Sequence, residues 1–297
     1  MGADPAAIEA TARSSIDRES PSYGMVSSAF ERWRLIILVP AHARVLAAGE
    51  TNVGKKRNHN EDNYAVLSED NLYIVADGMG GHASGEVASQ MCIETLRDFF
   101  RATSADPEAT WPYKMDKSRG YEENRLITGI KLANLRIFES AQRNPKLRGM
   151  GTTVVAVFVV EDGVLIAHVG DSRVYRVRDG QIMQLTEDHS LLNDYIKMKR
   201  LSDEEIANFP HKNVIVRALG MKDNVKVDLI LDAPKSADTY ILCSDGLSGP
   251  VNDKEILEVA AGSGDLQTAC LQLIERANSH GGPDNVTVVL AKVMGIG

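Results

Sequence analysis

Cysteine, aromatic residues and long apolar runs are all scarce in this chain of 297 residues. The three cysteines, Cys92, Cys243 and Cys270, lie far apart and form no Cys-x-x-Cys pair. A disulfide scaffold and a cysteine-ligated zinc site are therefore not expected, and the composition favours a reducing compartment, the cytoplasm. Aromatic residues make up 5 % of the chain, whereas 43 % is hydrophobic and 25 % is charged, the balance of a globular protein.

No stretch approaches the ~20 apolar residues that are needed to cross a bilayer. The nearest run, Leu35–Val39, is stopped by Pro40. Read from Met25 it has some features of a signal peptide, but it lies far into the chain for one. Basic residues are also outnumbered, since 33 Lys and Arg face 41 Asp and Glu and give a formal net charge of −8. An acidic surface repels phosphates and anionic lipid, so no nucleic-acid or membrane partner is expected.

The pattern along the chain predicts one domain, over residues 44–297, behind a poorly ordered leader, over residues 1–43. The predicted strands are Arg44–Thr51, Asn63–Leu67, Leu72–Ala76, Thr152–Val160, Val164–Val169, Val174–Arg178, Val225–Leu231, Thr239–Cys243 and Val286–Val293. The predicted helices are Ser84–Arg101, Tyr121–Gln142, the insert Leu191–Asn208, Asp253–Ala261 and Leu266–Ser279. Consecutive hairpins with two helix pairs predict an α+β fold of two packed sheets with helices outside.

An aspartate directly follows an apolar strand at three places, Asp77, Asp171 and Asp245. Two further acidic sites, the pair Glu61-Asp62 and Asp284, stand just before strands. One such carboxylate is an ordinary turn residue, but six at strand ends repel one another unless cations or protons relieve them. Oxygen ligands without a Cys or His framework select Mg²⁺ or Mn²⁺, which predicts a two-metal hydrolase.

Arg57, five residues before Asp62, is the cation that accompanies the first acidic site. A guanidinium beside divalent metals suits a tetrahedral phosphate, which it can grip with two parallel hydrogen bonds. The alternative is a surface arginine next to Lys55 and Lys56. His168, in the middle of a predicted strand, is interpreted as a core histidine whose hydrogen bonds are satisfied.

Five ordered segments resemble the signatures of the type 2C metal-dependent protein serine/threonine phosphatases, in particular their bacterial single-domain branch. They are residues 51–62 (TNVGKKRNHNED), 75–82 (VADGMGGH), 149–153 (GMGTT), 169–173 (VGDSR), and 243–247 (CSDGL) with 282–285 (GPDN). The resemblance covers about residues 46–293. It implies a four-layer α-β-β-α sandwich of two stacked, mainly antiparallel sheets flanked by helix pairs.

The resemblance also implies a set of metal ligands. Asp77 would bridge two tightly bound Mn²⁺ or Mg²⁺ ions, and Gly78 would offer its carbonyl oxygen to one of them. Asp245 and Asp284 would complete the protein ligands of the other. Asp171 corresponds to the ligand of a third, weaker ion in bacterial members.

Further roles follow from the same resemblance. Glu61 and Asp62 would hold metal-bound waters, Arg57 would bind the phosphate, and His82 would protonate the departing alkoxide. The expected reaction is hydrolysis of phosphoserine and phosphothreonine in proteins by a metal-activated water, opposing serine/threonine kinases in signalling. The expected partners are those kinases and their substrates, met by a monomer whose variable flap is the insert at about residues 188–212.

Three other interpretations fit the residues less well. Gly49–Lys55 has the spacing of a nucleotide-binding phosphate loop, but Lys56 replaces the hydroxyl residue that would ligate magnesium. Gly78–Ala83 resembles a dinucleotide fingerprint, but Asp77 would face the pyrophosphate with like charge. A phosphoprotein-binding protein without turnover would have lost a principal metal ligand, and none is missing. One departure from the family pattern is Gly249, where some relatives have a third-metal carboxylate.

Overall fold

Runs of consecutive strands are separated by groups of helices in this protein. The computed structural model describes residues 44–80, 84–106, 110–199, 201, 203–207, 209 and 214–295. The strands are β1 Arg44–Asn52, β2 Asp62–Leu67, β3 Leu72–Met79, β4 Gly151–Thr152, β5 Val154–Val160, β6 Gly163–Val169, β7 Arg173–Arg178, β8 Gln181–Gln184, β9 Asp228–Asp232, β10 Thr239–Cys243 and β11 Val286–Gly295. The helices are α1 Ser84–Ala105, α2 Tyr121–Arg143, α3 Leu191–Lys199, α4 Asp203–Ala207, α5 Asp245–Ser248, α6 Asp253–Gly262 and α7 Leu266–Ser279.

The strands pair into two antiparallel sheets. One sheet has the order β1-β11-β10-β7-β8, and the other has the order β2-β3-β5-β6-β9 with β4 paired to the end of β3. Hairpins join β5 to β6 and β7 to β8. At the second hairpin Asp179 and Gly180 adopt positive φ angles of 51° and 72°, which an Asp-Gly pair accepts readily.

Side chains on alternating strand positions build three apolar layers. In β3, Leu72, Ile74 and Ala76 pack in a cluster with residues of α1 and α2, whereas Tyr73 and Val75 belong to the cluster between the sheets. A third cluster joins the other sheet to α6 and α7. The predicted four-layer sandwich is confirmed, and its described residues belong to one compact unit that spans residues 40–297.

Most predicted elements lie within a few residues of the observed ones, with some differences. The helix predicted at Leu191–Asn208 is observed as two helices, α3 and α4, and the strand predicted at Thr152–Val160 as β4 and β5, while the short helix α5 was not predicted. The strand predicted at Val225–Leu231 begins only at Asp228, because Val225 and Val227 are buried in the helix-side cluster without pairing to a neighbouring strand. The short strand β8 was not predicted, since it has only four residues, Gln181–Gln184, too few to show an alternating pattern. Within the described ranges, no helix combines the length and apolar character that a membrane span requires. The predicted leader lies outside those ranges.

One end of the sandwich collects the predicted acidic residues. β2 begins at Asp62, and β3 carries Asp77 directly opposite it in the register. β6 and β10 end just before Asp171 and Asp245, and β11 begins just after Asp284. Antiparallel pairing thus brings strand starts and strand ends to the same edge.

Candidate metal centre

Asp62 is a buried carboxylate held between the two sheets. Its side chain is 4 % exposed, and its Oδ2 accepts hydrogen bonds from the hydroxyls of Ser244 and Thr287, both at 2.7 Å. These two donors come from the other sheet or its edge. Its second oxygen, Oδ1, has no hydrogen-bond partner among the described residues. A buried carboxylate oxygen without a donor is rare and marks a place for an ion or a water.

The backbone of Asp77 is fixed by two threonines. The Asp77 N–H donates to Thr153 Oγ1 at 3.0 Å, and the Asp77 carbonyl accepts from Thr153 N–H at 2.8 Å and from Thr152 Oγ1 at 2.9 Å. Thr153 Oγ1 also lies 2.7 Å from Ser172 Oγ. The Gly-Thr-Thr signature therefore anchors Asp77 and links it to the residue after Asp171.

Asp171, Asp245 and Asp284 share a cleft of about 410 Å³. Asp171 is 8 % exposed, and its Oδ1 has no partner among the described residues. Gly249 also borders this cleft and is exposed. A carboxylate-lined cleft with an unpartnered buried oxygen has the donors that a hard divalent ion requires.

The carboxylates raise one another's pKa values. Burial is the largest cause for each: it raises the pKa of Asp77 well above its usual range, and the charge of Asp62 adds to it. Burial also raises the pKa of Asp62 to about 7, against the hydrogen bonds from Thr287 and Ser244. For Asp171 burial, then the charges of Asp245 and Asp188, raise the pKa to about 7. For Asp245 burial, then the charge of Asp284, raises it.

Two arginines border the cluster, and each already has a carboxylate partner. Arg57 Nη2 donates to Asp284 Oδ2 at 2.7 Å, and this hydrogen bond raises the pKa of Arg57. Arg173 grips Asp188 through Nε at 3.0 Å and Nη2 at 2.7 Å. Asp62, Asp77 and Asp171 have no such ion pair among the described residues, so the cluster needs positive charge from elsewhere.

Glu61 and Gly78 meet at the start of α1. Glu61 Oε1 accepts from the Gly85 N–H at 3.1 Å, and the Glu61 carbonyl accepts from the Gly78 N–H at 3.1 Å. A Cβ added at Gly78 would lie 2.2 Å from the Gly85 carbonyl oxygen, so only glycine fits there. The family resemblance implies that the Gly78 carbonyl oxygen binds a metal ion. The absence of a side chain at Gly78 has a separate, steric reason.

Asn285 organises the loop around Arg57, a role that the sequence did not reveal. Its Nδ2 donates to the carbonyls of Val53 and His59, both at 2.9 Å, and its Oδ1 accepts from the Glu61 N–H at 2.8 Å. It had been read only as part of the Asp284-Asn285 signature. Since these partners are more than 220 residues away in sequence, no local pattern could have indicated them.

Two histidine predictions meet the structure differently. His168 is buried in β6 as expected, but its Nδ1 has no hydrogen-bond partner among the described residues, so the expectation that its hydrogen bonds are satisfied is wrong. Its ring stacks on His189 with centroids 4.6 Å apart. His82, the predicted proton donor, lies outside the described residues. The three cysteines are buried and form no disulfide.

The donor set fits divalent metal. It consists of carboxylate and carbonyl oxygens, two of them buried without partners among the described residues, and burial raises the pKa of Asp62 and of Asp171 to about 7. Such a set selects Mg²⁺ or Mn²⁺. The fold and the donor set fit a metal-dependent hydrolase, with an arginine at the rim of the cleft that suits an anionic substrate.

Comparison with known proteins gives the family. Residues 51–284 match protein phosphatase 2C. The serine/threonine phosphatase Stp of Listeria monocytogenes is 39 % identical over 249 residues, which cover 82 % of this chain and 93 % of that protein. The solved structure of the Mycobacterium tuberculosis serine/threonine phosphatase PstP/Ppp superposes with a TM-score of 0.74 and 35 % identity, covering 84 % of this chain and 99 % of that one.

A second solved structure bears on the metal. The catalytic domain of PstP in complex with two manganese ions has a TM-score of 0.69 and 34 % identity, with 84 % of this chain and 99 % of that chain covered. This chain belongs to the protein phosphatase 2C family. It is a metal-dependent serine/threonine phosphatase.

Proposed function

We propose that this enzyme removes phosphate from phosphoserine and phosphothreonine in proteins, using two divalent ions held by Asp77, the Gly78 carbonyl, Asp245 and Asp284. When bound, these ions supply positive charge to the substrate phosphate and activate the attacking water at neutral pH. Glu61 and Asp62 are proposed to orient waters around them. The Mn²⁺ complex of PstP supports Mn²⁺ as one usable ion.

The crowding of unpaired carboxylates is the observation that carries this proposal. Burial and mutual repulsion raise the pKa values of Asp62, Asp77, Asp171 and Asp245 together. A folded protein that concentrates such groups at one edge does so against its own stability. Cations held by these carboxylates would relieve that repulsion and would let a site that otherwise repels a phosphate dianion accept it.

Arg57 is proposed to bind the substrate phosphate. Its side chain is 50 % exposed and already lies at the metal site, 2.7 Å from Asp284. Once Asp284 is engaged by an ion, the guanidinium is available for two phosphate oxygens, which it can meet in parallel. His82 is proposed to donate the proton that the serine or threonine alkoxide needs on leaving.

A third, weaker ion is proposed at Asp171. This residue shares the 410 Å³ cleft with Asp245 and Asp284 and keeps one buried oxygen without a partner. Gly249 supplies no carboxylate, so the ion would retain most of its water, and a hard ion with few protein ligands binds weakly.

Substrates and surroundings are proposed from the family. The flap at about residues 188–212 starts at this cleft, since Asp188, Ser190 and Leu192 help to line it. We infer that the flap contacts the substrate protein and that serine/threonine kinases and their targets are the substrates. Three buried cysteines without disulfides support a reducing, cytoplasmic location. We also propose that the enzyme is a monomer and that its first 43 residues take no part in catalysis.

The test is phosphate release from a phosphothreonine peptide as Mn²⁺ is raised from zero. Activity is expected to need metal and to keep rising at millimolar Mn²⁺ after the tight sites are full. Asp171→Ala should keep two tight ions in calorimetry but lose the late rise and about tenfold or more of the turnover. A mutant that retains both would make Asp171 a turn residue. Binding of the phosphopeptide without turnover at any metal concentration would favour a non-enzymatic phosphoprotein-binding role.

A further inference from the structure

The dipeptide Asp188-His189 holds the turn that carries Asp171 from both sides. Asp188 accepts two hydrogen bonds from Arg173, which lies two residues after Asp171. His189 Nδ1 accepts the Gly170 N–H at 3.0 Å, and the His189 N–H donates to the Gly170 carbonyl at 2.9 Å. The residue before Asp171 and the residue two after it are therefore both anchored to the base of the flap.

The turn itself leaves little room for other arrangements. Gly170 has a φ of +115°, and a Cβ added there would lie 2.6 Å from Thr153 Cβ. Such a backbone conformation is one that side chains rarely permit. Its amide would be buried and unpaired without the His189 nitrogen, because that nitrogen is the acceptor that Gly170 uses.

The tautomer of His189 follows from these contacts. Since Nδ1 accepts the Gly170 amide, the ring proton is on Nε2, which donates to Asp228 Oδ2 at 2.9 Å. Asp228 is kept ionised: burial opposes this, but hydrogen bonds from Arg217 and His189 lower its pKa to about 2. An ionised acceptor at Nε2 keeps the Nδ1 lone pair directed at Gly170.

His168, His189 and Asp228 also form a group of possible metal ligands, with candidate atoms within 4.8 Å of one another. The hydrogen bonds argue against a metal there. Ligation through His189 Nε2 would move its proton to Nδ1, against the Gly170 N–H. Arg217 and Lys226 already occupy the two Asp228 oxygens, at 3.0 and 3.3 Å. The group has the composition of a zinc site but the contacts of a hydrogen-bond relay.

We propose that His189 is a positioning residue for the ion site at Asp171, acting through the hydrogen bond from Gly170 to its Nδ1, with Asp228 fixing the tautomer. This inference rests on the proposed third ion. Groups that orient a metal ligand from behind typically change metal affinity by about 10- to 100-fold when they are replaced. Because His189 begins the flap, the same contact ties flap position to the Asp171 turn.

Two substitutions separate the two ring nitrogens. Asn at 189 keeps an acceptor at the δ position, whereas Gln keeps a donor at the ε position for Asp228 and loses the acceptor. Mn²⁺ binding is measured by calorimetry on the full chain for wild type, His189→Asn, His189→Gln and Asp171→Ala. We expect His189→Gln to weaken the weak site about tenfold or more and to leave the tight sites unchanged. His189→Asn should stay within about threefold of wild type, and melting in EDTA checks that both variants fold.

A measurement on the wild-type protein needs no variant to fold. Long-range ¹H–¹⁵N spectra should show His189 with its proton on Nε2, and a proton on Nδ1 would overturn the proposal. Equal weak-site affinity in wild type and His189→Gln would also overturn it, as would equal losses in His189→Gln and His189→Asn, which would assign the effect to ring packing. A wild type without a weak site overturns the third ion and this inference together, while the tight sites and phosphatase activity still test the main proposal.

Discussion

Buried aspartates lie at both ends of the sheets, but only at one end are they paired with arginines. At the end away from the metal centre, Arg178 holds Asp238 through Nε at 2.8 Å and Nη2 at 2.5 Å, and Arg176 holds Asp232 at 2.6 Å. Asp238 is 1 % exposed, and its charge is paired with that guanidinium. At the metal end, Asp62 and Asp171 are buried to a similar degree without an arginine, and burial raises the pKa of each to about 7.

Pairing with an arginine distinguishes a structural carboxylate from a carboxylate that can bind a cation. A buried acid with its own guanidinium is already neutralised within the protein, and removing the arginine leaves an uncompensated charge. A buried acid without a guanidinium partner can be neutralised by a cation from solution. Burial alone does not separate the two cases, but pairing does.

The largest effect is expected for Asp77→Asn, which removes the carboxylate proposed to bridge the ions. Turnover of a phosphopeptide should fall by about three orders of magnitude, since metal catalysis is worth several kcal/mol. The metal-free protein should melt at the same or a higher temperature, because the substitution relieves repulsion. Asp162→Asn, at an exposed hairpin far from the cluster, is the matched control. A loss below about tenfold with normal metal binding would contradict the bridging role.

Arg178→Ala should act on stability instead. It leaves the buried Asp238 without its guanidinium, and breaking a buried pair costs about 3–5 kcal/mol. Denaturant unfolding measures this loss, and kcat at saturating Mn²⁺ should stay near wild type in the folded fraction. Arg143→Ala, which breaks an exposed pair with Glu139, should change stability by less than about 0.5 kcal/mol. Equal effects of the two substitutions would mean that burial does not set the strength of these pairs.

The third expectation concerns pH. Asp62 and Asp171 have pKa values raised from 3.8 to about 7 in the metal-free fold, so the native state binds more protons than the unfolded chain between about pH 4 and 7. Their contribution to stability is therefore full below pH 4 and is lost as the pH rises through about 7. The melting temperature in EDTA should fall by roughly 5 °C between pH 5 and 8, and saturating Mn²⁺ should abolish that fall. A flat EDTA profile would contradict the crowding argument.

The smallest effect is expected for Arg57→Ala. Loss of charge-assisted hydrogen bonds to the phosphate should lower kcat/KM by about tenfold or somewhat more, shared between KM and kcat. Lys56→Ala, at the exposed neighbouring position, should leave both constants near wild type. Steady-state kinetics with one phosphopeptide measures both constants. An unchanged kcat/KM would show that Arg57 is a surface residue that does not bind the phosphate.

Sequence patterns revealed the residues whose chemistry is local. Asp77, Asp171 and Asp245 each follow an apolar run, so strand period and turn position together placed them at one edge. The sandwich followed for the same reason, from hairpin turns and amphipathic helices. The strand at Asp228 began late because apolar alternation at Val225 and Val227 reflects burial, which strands and packed loops share.

The residues that sequence reasoning missed act through contacts distant in the chain. Thr153 bonds the backbone of Asp77, Asn285 bonds the loop around Arg57, and His189 bonds Gly170. Each uses an ordinary polar side chain whose partner is set by the register of the sheets. Such roles have no periodic signal, and only the folded arrangement reveals them.

The hydrogen bonds of Asp62 have a consequence for how the protein folds. Asp62 begins a strand of one sheet, whereas Thr287 lies in the other and Ser244 directly follows a strand of it. The edge proposed to bind the ions therefore forms only after the two sheets have docked. A chain with one sheet formed would have half of the ligands and little affinity for Mn²⁺. Metal binding during refolding should therefore report when the two sheets dock, which is a late event, and not when either sheet forms.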